Sequence, residues 1–277
     1  MDGCFGIDRN VPEISEHLGK FKEDDTISSL TLDNEEIIIG ITNQENINIK
    51  NVTQIKVITE GIKKGQYKWS IKDKNIATID ANGNITPVTS GETSIECKSI
   101  DGKKVYATCK LTVEEREYLY YNGTSFTEFE NPICGKQCTL SGSPYFREDC
   151  IYTRASNKNY PNAHQQINYV TKDKIDFSQY KGVVIKKDIE ISGVEVGSYL
   201  RTTQNKKCND WGMIANDSNI ESVYGWESID RGEKEEYYDV REYNKEAYLN
   251  AVMTVGEYLS GIKSTVDIYI YEIFLVK

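Results

Sequence analysis

A period-two alternation of apolar and polar residues constrains the fold of this chain more than any other feature. The stretches from Tyr67 to Ile71 and from Thr93 to Cys97 alternate in this way, and after the Asp101-Gly102 turn the stretch from Val105 to Val113 does so again. Period two means that each strand buries one face and exposes the other. Half-apolar sheets must cover each other, so residues 27–115 are predicted to form an antiparallel β-sandwich.

The chain of 277 residues is long enough for two domains. Residues 1–26 contain Gly, Pro and an acidic run, and we expect an N-terminal arm that docks on a partner. The charged stretch 114–117 closes the first sandwich, and a second β-rich region follows it. The predicted fold is therefore all-β, with an arm over 1–26, a sandwich over 27–115, and a second β-sandwich or jelly-roll domain over 116–277.

Strand signals in the second region cover residues 182–186, 190–196, 199–203 and 266–276. The segment from Glu246 to Leu259 fits a helix and a strand equally well by periodicity. Gly256 would lie inside the helical version, where glycine is unfavourable. We therefore predict a strand there.

Charge and hydropathy exclude several classes of partner. A formal net charge of −10 opposes sequence-independent binding to nucleic acid, because that affinity comes from Lys and Arg. No run of 18 apolar residues is present, so no membrane insertion is expected. The N-terminus MDGCFGIDRN lacks the basic start and apolar centre of a secretory signal, and we expect a chain that is made in the cytoplasm or has been trimmed.

Seven cysteines are an odd number, so at least one has no partner within the chain. Cys134, Cys138, Cys150 and Cys208 are candidate zinc ligands, but their irregular spacing favours structural or free thiols. Cys97 and Cys109 lie on strands that flank one hairpin, and both point to the apolar side. They could form a disulfide or remain two buried free thiols. No metal and no cofactor is predicted.

The stretch from Trp69 to Val113 resembles the group 2 bacterial immunoglobulin-like domain of invasin-type and intimin-type adhesins. The residues that carry the resemblance are Trp69, Ile76, Ala77, Ile79, Asp80, Gly83, Ile85, Gly91, Thr93, Ile95 and Val113. The resemblance implies an immunoglobulin-like domain over residues 27–115. Such domains serve as spacers and display modules on bacterial surfaces and on tail and head-decorating proteins of bacteriophages. We expect Asn82-Gly83 to form a tight hairpin and Trp69 to fill the centre between the sheets.

Three segments of the second region look like the sandwich modules of phage tail fibres and gut bacterial surface proteins: 174–180, 238–240 and 266–275. Some modules of that kind bind carbohydrate. Trp211 and Trp226 bracket a segment rich in Gly, Asn, Asp and Ser, and Tyr199 and Arg201 share a strand face. These four residues are the candidate glycan-binding residues, and packing of both Trp side chains is the alternative.

Catalytic signals are scarce, because His17 and His164 are the only histidines and no nucleophile, phosphate-loop or metal-helix motif is present. We therefore expect a protein that is not an enzyme. A carboxylate pair among Asp210, Asp217, Glu227 and Asp230 is conceivable, but solvated surface charge is favoured. The turn at residues 80–84 is interpreted as a hairpin and not a calcium loop, since Gly91 occupies the position that needs a bidentate Glu.

The leading hypothesis from the sequence is a bacteriophage structural protein of the virion, either a head-decoration fibre or a tail component. Its partners would be other virion proteins through the arm, and host-surface glycans, with the chain present as a homo-oligomer or in many copies. The alternative is a bacterial cell-surface or extracellular adhesin or carbohydrate-binding protein. A third hypothesis is a glycan-degrading enzyme with an immunoglobulin-like spacer.

Overall fold

The computed structural model describes residues 29–49, 51–62, 65–100, 105–136, 138–142, 145–157, 165–192, 195–208, 210, 214, 232–243, 245–256 and 265–277. Within these ranges the chain consists of β-strands and loops, with a short 3-10 helix at Phe177–Gln179 and no α-helix. The prediction of an all-β fold is confirmed. None of the described helical residues forms a segment long and apolar enough to cross a membrane. The predicted arm lies outside the described residues.

The N-terminal part contains β1 (Glu36–Ile41), β2 (Tyr67–Ile71), β3 (Ala77–Ile79), β4 (Ile85–Pro87), β5 (Gly91–Ser99) and β6 (Tyr106–Tyr121). Strand β5 pairs antiparallel with both β2 and β6. Strand β1 lies parallel to β6 on its other side. Strands β3 and β4 form a separate two-stranded hairpin.

The alternation in the sequence corresponds to the observed core of this part. Ile95 and Cys97 on β5, and Cys109 and Leu111 on β6, are at most 1% exposed. Cys97 lies opposite Ala107 and Cys109 opposite Ile95, so the two cysteines are not directly paired across the ladder, and both are free thiols.

Trp69 does not occupy the centre of the sandwich, contrary to the expectation from the sequence. It is half-buried and makes an edge-on contact with Tyr67, with ring centroids 5.8 Å apart. The reason is that β2 ends the hydrogen-bonded order of its sheet, so its side chains cover the rim of the core. The centre is filled by smaller aliphatic side chains that are fully buried: Ile39, Ile55, Ile95 and Leu111.

The turn between β3 and β4 is a hairpin, as predicted. The Asp80 carboxylate accepts hydrogen bonds from the backbone N–H groups of Asn82 at 2.7 Å and Asn84 at 2.9 Å, and from the Asn84 side chain at 2.7 Å. Gly83 adopts φ +83°, which a residue with a side chain rarely does. The Asp80 carboxylate therefore stabilises its own turn through these hydrogen bonds.

The C-terminal part contains eleven further strands among the described residues: β7 (Thr124–Ser125), β8 (Ile133–Cys134), β9 (Cys138–Ser141), β10 (Ile151–Asn157), β11 (Gln165–Val170), β12 (Ile175–Asp176), β13 (Gly182–Ser192), β14 (Glu195–Thr203), β15 (Gly232–Asp239), β16 (Glu246–Gly256) and β17 (Thr265–Val276). The predicted strand within 246–259 is confirmed by β16, and the predicted C-terminal strand by β17.

Two sheets form this part. The large sheet follows the order β15-β13-β17-β6-β5-β2, with β10 paired to β17 and β9 to β10. The small sheet follows the order β12-β16-β11-β8, with β14 on the other side of β16. Apolar side chains from both sheets make one cluster, which includes Ile167, Leu249, Ile268 and Ile273, all fully buried. The C-terminal part is therefore a two-layer sandwich.

Strand β13 is longer than the sequence predicts. The sequence predicts two separate strands here, over residues 182–186 and 190–196, whereas the structure has one strand from Gly182 to Ser192. The strand instead continues through a register shift between Lys186 and Lys187. The Lys187 side chain is 2% exposed and pairs with Glu236 on the neighbouring strand β15. An ion-pair partner on another strand makes this buried lysine tolerable.

Strand β6 connects the two parts and crosses residues 115 and 116, where the predicted domain boundary lies. Its first half pairs with β5, and its second half pairs with β17. A small separate core sits at this junction, formed by Tyr118, Val184, Phe274 and Val276, with Ile47 and Ile49 packed on it from the N-terminal part. The two parts share a strand and a core, so they form a continuous structure.

Candidate functional site

The four residues proposed from the sequence as a glycan site are placed as follows. Trp211 and Trp226 lie outside the described residues. Tyr199 and Arg201 both lie on β14, two positions apart and therefore on one face of the strand. The side chain of Tyr199 is also outside the described part. The grouping of these four residues stays a prediction.

Arg201 belongs to a buried polar layer on the small sheet. It is 8% exposed, and its Nη1 donates a hydrogen bond to Gln166 Oε1 at 3.1 Å. Across the sheet it faces Asn250, whose side chain donates to Asn168 Oδ1 at 2.9 Å. Since Leu200, Leu249 and Ile167 on the same strands belong to the apolar core, alternation places these polar groups on the opposite face. The Arg201 guanidinium thus serves interactions within the protein.

An open groove lies at one end of the sandwich and has a volume of about 500 Å³. The residues that line it come from three separate stretches: Ser125, Phe126, Thr127, Glu128, Phe129, Phe146, Lys172 and Asp173. The stretch after β7 runs antiparallel to the stretch after β11, with backbone hydrogen bonds from Lys172 N to Glu128 O at 2.7 Å and from Glu130 N to Val170 O at 2.8 Å. These bonds fix the two walls relative to each other.

Aromatic rings form the apolar surface of the groove. Phe129 is buried, and it anchors the wall to the core of the sandwich. Phe126 is 37% exposed, and Phe146 is half-buried. A large side chain that stays exposed next to a cavity is a favourable contact surface for a ligand with an apolar face.

Charged groups border these rings. Lys172 Nζ lies 2.9 Å from Glu128 Oε2, and both side chains are exposed. Their mutual hydrogen bond raises the pKa of Lys172 and lowers the pKa of Glu128, so both stay charged near neutral pH. An exposed pair of this kind contributes little to stability. It is therefore available to exchange its partner for the hydroxyl groups of a ligand.

Further charged groups continue from the groove toward the small sheet. Lys206 Nζ lies 2.7 Å from Glu130 Oε1 and donates to the carbonyl oxygen of Lys172 at 2.8 Å. The same ammonium group lies 4.8 Å from the ring centroid of Tyr248. The groove rim thus carries donors and acceptors beside an aromatic ring.

The sequence also suggests a metal site and a pair of catalytic carboxylates as alternatives. Among the described residues, no group of three or more His, Cys, Asp or Glu side chains is arranged to hold a metal ion. Asp210 is exposed and pairs with Lys136 at 2.8 Å. Asp217, Glu227, Asp230 and both histidines lie outside the described part of the chain.

Sequence reasoning did not identify the groove residues. The stretch 123–165 looked like a loop-rich region, and Phe126, Phe146 and Lys172 are far apart in the chain. The sequence SFTEFE places Phe126 and Phe129 three positions apart among polar residues, which is not the period of two that marks a strand. Only the folded structure brings the three stretches together.

Comparison with known proteins supports the resemblance noted in the sequence. Residues 46–109 match the model of the bacterial Ig-like domain (group 2). An uncharacterized protein of Clostridium acetobutylicum is 32% identical over 103 residues, which cover 36% of this chain and 23% of that protein. The chain therefore spans about a quarter of the length of that relative.

Solved structures with some likeness to this chain include carbohydrate-binding modules. One from the β-sandwich superfamily has 11% sequence identity and a TM-score of 0.41, with 90% of this chain and 96% of that chain covered. A xylan-binding module of Roseburia intestinalis has 14% identity and a TM-score of 0.27, with 54% of this chain and 96% of that chain covered.

Proposed function

We propose that this chain is a non-catalytic display protein of a bacterial surface, in which the immunoglobulin-like module presents a C-terminal sandwich that binds carbohydrate in the groove. The observation that carries the proposal is the groove itself, because it combines the exposed ring of Phe126 and the half-buried ring of Phe146 with an exposed ion pair between Lys172 and Glu128. Sugars offer both an apolar C–H face and a ring of hydroxyl groups. The groove has a matching surface for each.

The openness of the groove favours a chain-like polar ligand over a small apolar one. Small apolar ligands are held in enclosed cavities that bury most of their surface. Here one wall ends in the exposed ring of Phe126 and the other in the exposed Lys172 and Asp173. A polysaccharide can lie across such a groove and continue beyond it at both ends.

A bacterial surface is favoured over a virion by the matches within this chain. Residues 46–109 match a bacterial family of immunoglobulin-like domains, and the relative with 32% identity comes from a bacterium. The virion hypothesis rests on the lack of an export signal, on the display-type module and on the expected docking role of residues 1–26, and the last of these lies outside the described residues. We therefore put the cell-surface adhesin first.

The direct test is a glycan array probed with the full chain, followed by titration of each bound glycan. We expect binding to at least one polysaccharide, and about tenfold weaker binding for Phe126→Ala, since loss of a stacked ring costs roughly 1 to 1.5 kcal/mol. Tyr106→Ala is the matched control, because Tyr106 is 61% exposed and lies on β6 away from the groove. Wild-type affinity for Phe126→Ala, or an array with no binding, would refute the proposal.

The non-catalytic part of the proposal needs its own assay. Glycosidases of the common type hold two carboxyl groups at opposite sides of the scissile bond. In the groove the hydrogen bond from Lys172 lowers the pKa of Glu128, so this carboxyl group is ionised near neutral pH and is not a proton donor. Each bound polysaccharide should therefore stay intact on long incubation, and new reducing ends that depend on Glu128 would show that the protein is a hydrolase.

A further inference from the structure

Two half-buried cysteines outside the groove lie where the chain passes from one sheet of the sandwich to the other. Cys134 ends β8, which belongs to the small sheet through its pairing with β11. Cys138 begins β9, which belongs to the large sheet through its pairing with β10. The backbone N–H of Cys138 donates to the carbonyl oxygen of Gly135 at 3.1 Å. A tight turn therefore brings the two residues together.

The thiol of Cys134 contacts the backbone of Cys138. Cys134 Sγ donates to the carbonyl oxygen of Cys138 at 3.3 Å. A hydrogen bond between the two thiols lowers the pKa of Cys134, against the opposing effect of burial. The same hydrogen bond, together with burial, raises the pKa of Cys138. The lower pKa makes Cys134 the better nucleophile of the two, since thiolates and not thiols attack disulfides.

The other cysteines of the two cores are in a different situation. Cys97, Cys109 and Cys150 are at most 2% exposed. Burial raises the pKa of each of these three thiols to about 11. They are therefore inert apolar side chains.

We propose that Cys134 and Cys138 form a disulfide that joins the two sheets of the C-terminal sandwich when the protein meets an oxidising medium. The Cys134 thiolate attacks a low-molecular-weight disulfide and releases one thiol, which leaves a mixed disulfide on Cys134. Cys138 then loses its proton to solvent, and its thiolate attacks the protein sulfur of that mixed disulfide and displaces a second low-molecular-weight thiolate, which takes up a proton. Two protein S–H groups become one S–S bond, and the small disulfide is reduced to two thiols.

Cys208 is the competing partner. Its Sγ lies 4.0 Å from the carbonyl oxygen of Cys134, so it approaches the backbone of Cys134. A bond between Cys134 and Cys208 would tie the loop after β14 to β8 and would leave the two sheets unlinked. The test must therefore identify which sulfurs are joined.

Trypsin separates the three cysteines, which makes peptide mapping decisive. Cleavage after Arg116, Lys136 and Arg147 places Cys134 in peptide 117–136 and Cys138 in peptide 137–147. Cleavage after Lys207 and Arg231 places Cys208 in peptide 208–231. The full chain is incubated with oxidised glutathione, its free thiols are alkylated under denaturing conditions, and the tryptic digest is analysed by mass spectrometry without reduction.

We expect peptides 117–136 and 137–147 to appear as one disulfide-linked species. In Cys138→Ser the link should be absent and Cys134 should carry glutathione, whereas Cys150→Ser should link as the wild type does. Two results overturn the proposal: unlinked peptides in which Cys134 keeps glutathione in the wild type, or a link between 117–136 and 208–231.

Discussion

The junction between the two parts can be tested through Gln44, which follows β1 and is bound to the backbone of Tyr118. Its Nε2 donates to the Tyr118 carbonyl oxygen at 2.9 Å, and its Oε1 accepts from the Tyr118 N–H at 2.5 Å. Tyr118 is 1% exposed, so water cannot easily replace either bond. At about 1 kcal/mol for each hydrogen bond, Gln44→Ala should lower the free energy of unfolding by about 2 kcal/mol.

The assay is urea unfolding of the full chain, with Gln54→Ala as the matched control. Gln54 is exposed, and its side chain makes one longer bond of 3.3 Å to the carbonyl oxygen of Asn82. That variant should stay within about 0.5 kcal/mol of the wild type. Hydrogen exchange supplies a local readout, since the Tyr118 amide should exchange faster in Gln44→Ala. Equal stability of the two variants, with unchanged exchange at Tyr118, would show that the Gln44 hydrogen bonds do not stabilise the junction between the two parts.

Two further predictions concern a turn and an ion pair. Gly83→Ala should lower the free energy of unfolding in urea by more than Gly61→Ala does. Both glycines have positive φ, but a Cβ at Gly83 would also collide with the Ile55 carbonyl oxygen. Equal losses of stability in the two variants would show that this collision has no effect. The hydrogen bond from Arg154 lowers the pKa of Asp267, so this group stabilises the fold above the ordinary aspartate pKa of about 4 and loses that contribution as the pH falls through the lower folded-state value. Between pH 6 and pH 2.5 the wild type should therefore lose more stability than Asp267→Asn, and parallel curves would contradict this.

Much of the strand pattern could be predicted from the sequence because alternation is a local property. The buried positions of β5 follow directly from which residues repeat every second position. Periodicity alone fits β16 to a helix as well as to a strand, and Gly256 decides for the strand. The position of Trp69 could not be predicted in the same way, since a large aromatic residue suits both the centre and the rim of a core. Only the pairing order, which leaves β2 at the end of its sheet, decides between them.

Buried charged side chains were also difficult to predict from the sequence. Lys187 lies buried inside β13, and its ammonium group pairs with Glu236, which lies 49 residues later in the chain on the neighbouring strand β15. The groove depends on the same kind of non-local arrangement, in which Phe126 and Lys172 meet through the pairing of two loops. A single sequence carries no signal for contacts of this type.

Strand β6, which the two parts share, affects how the groove could bind a polysaccharide when several copies of the chain act together. Under the proposed function, one exposed ring and a few charged groups would provide only modest affinity for a polysaccharide, so useful attachment would depend on several copies that bind the same polysaccharide. Avidity is largest when the spacing of sites matches the spacing of epitopes, and a flexible link between modules spreads those spacings over many values. In this chain β6 runs without interruption from the immunoglobulin-like module into the sandwich, and the junction core packs around Tyr118. The groove therefore keeps a fixed direction relative to the module that carries it, and the entropy that a flexible linker would lose on binding is not lost here.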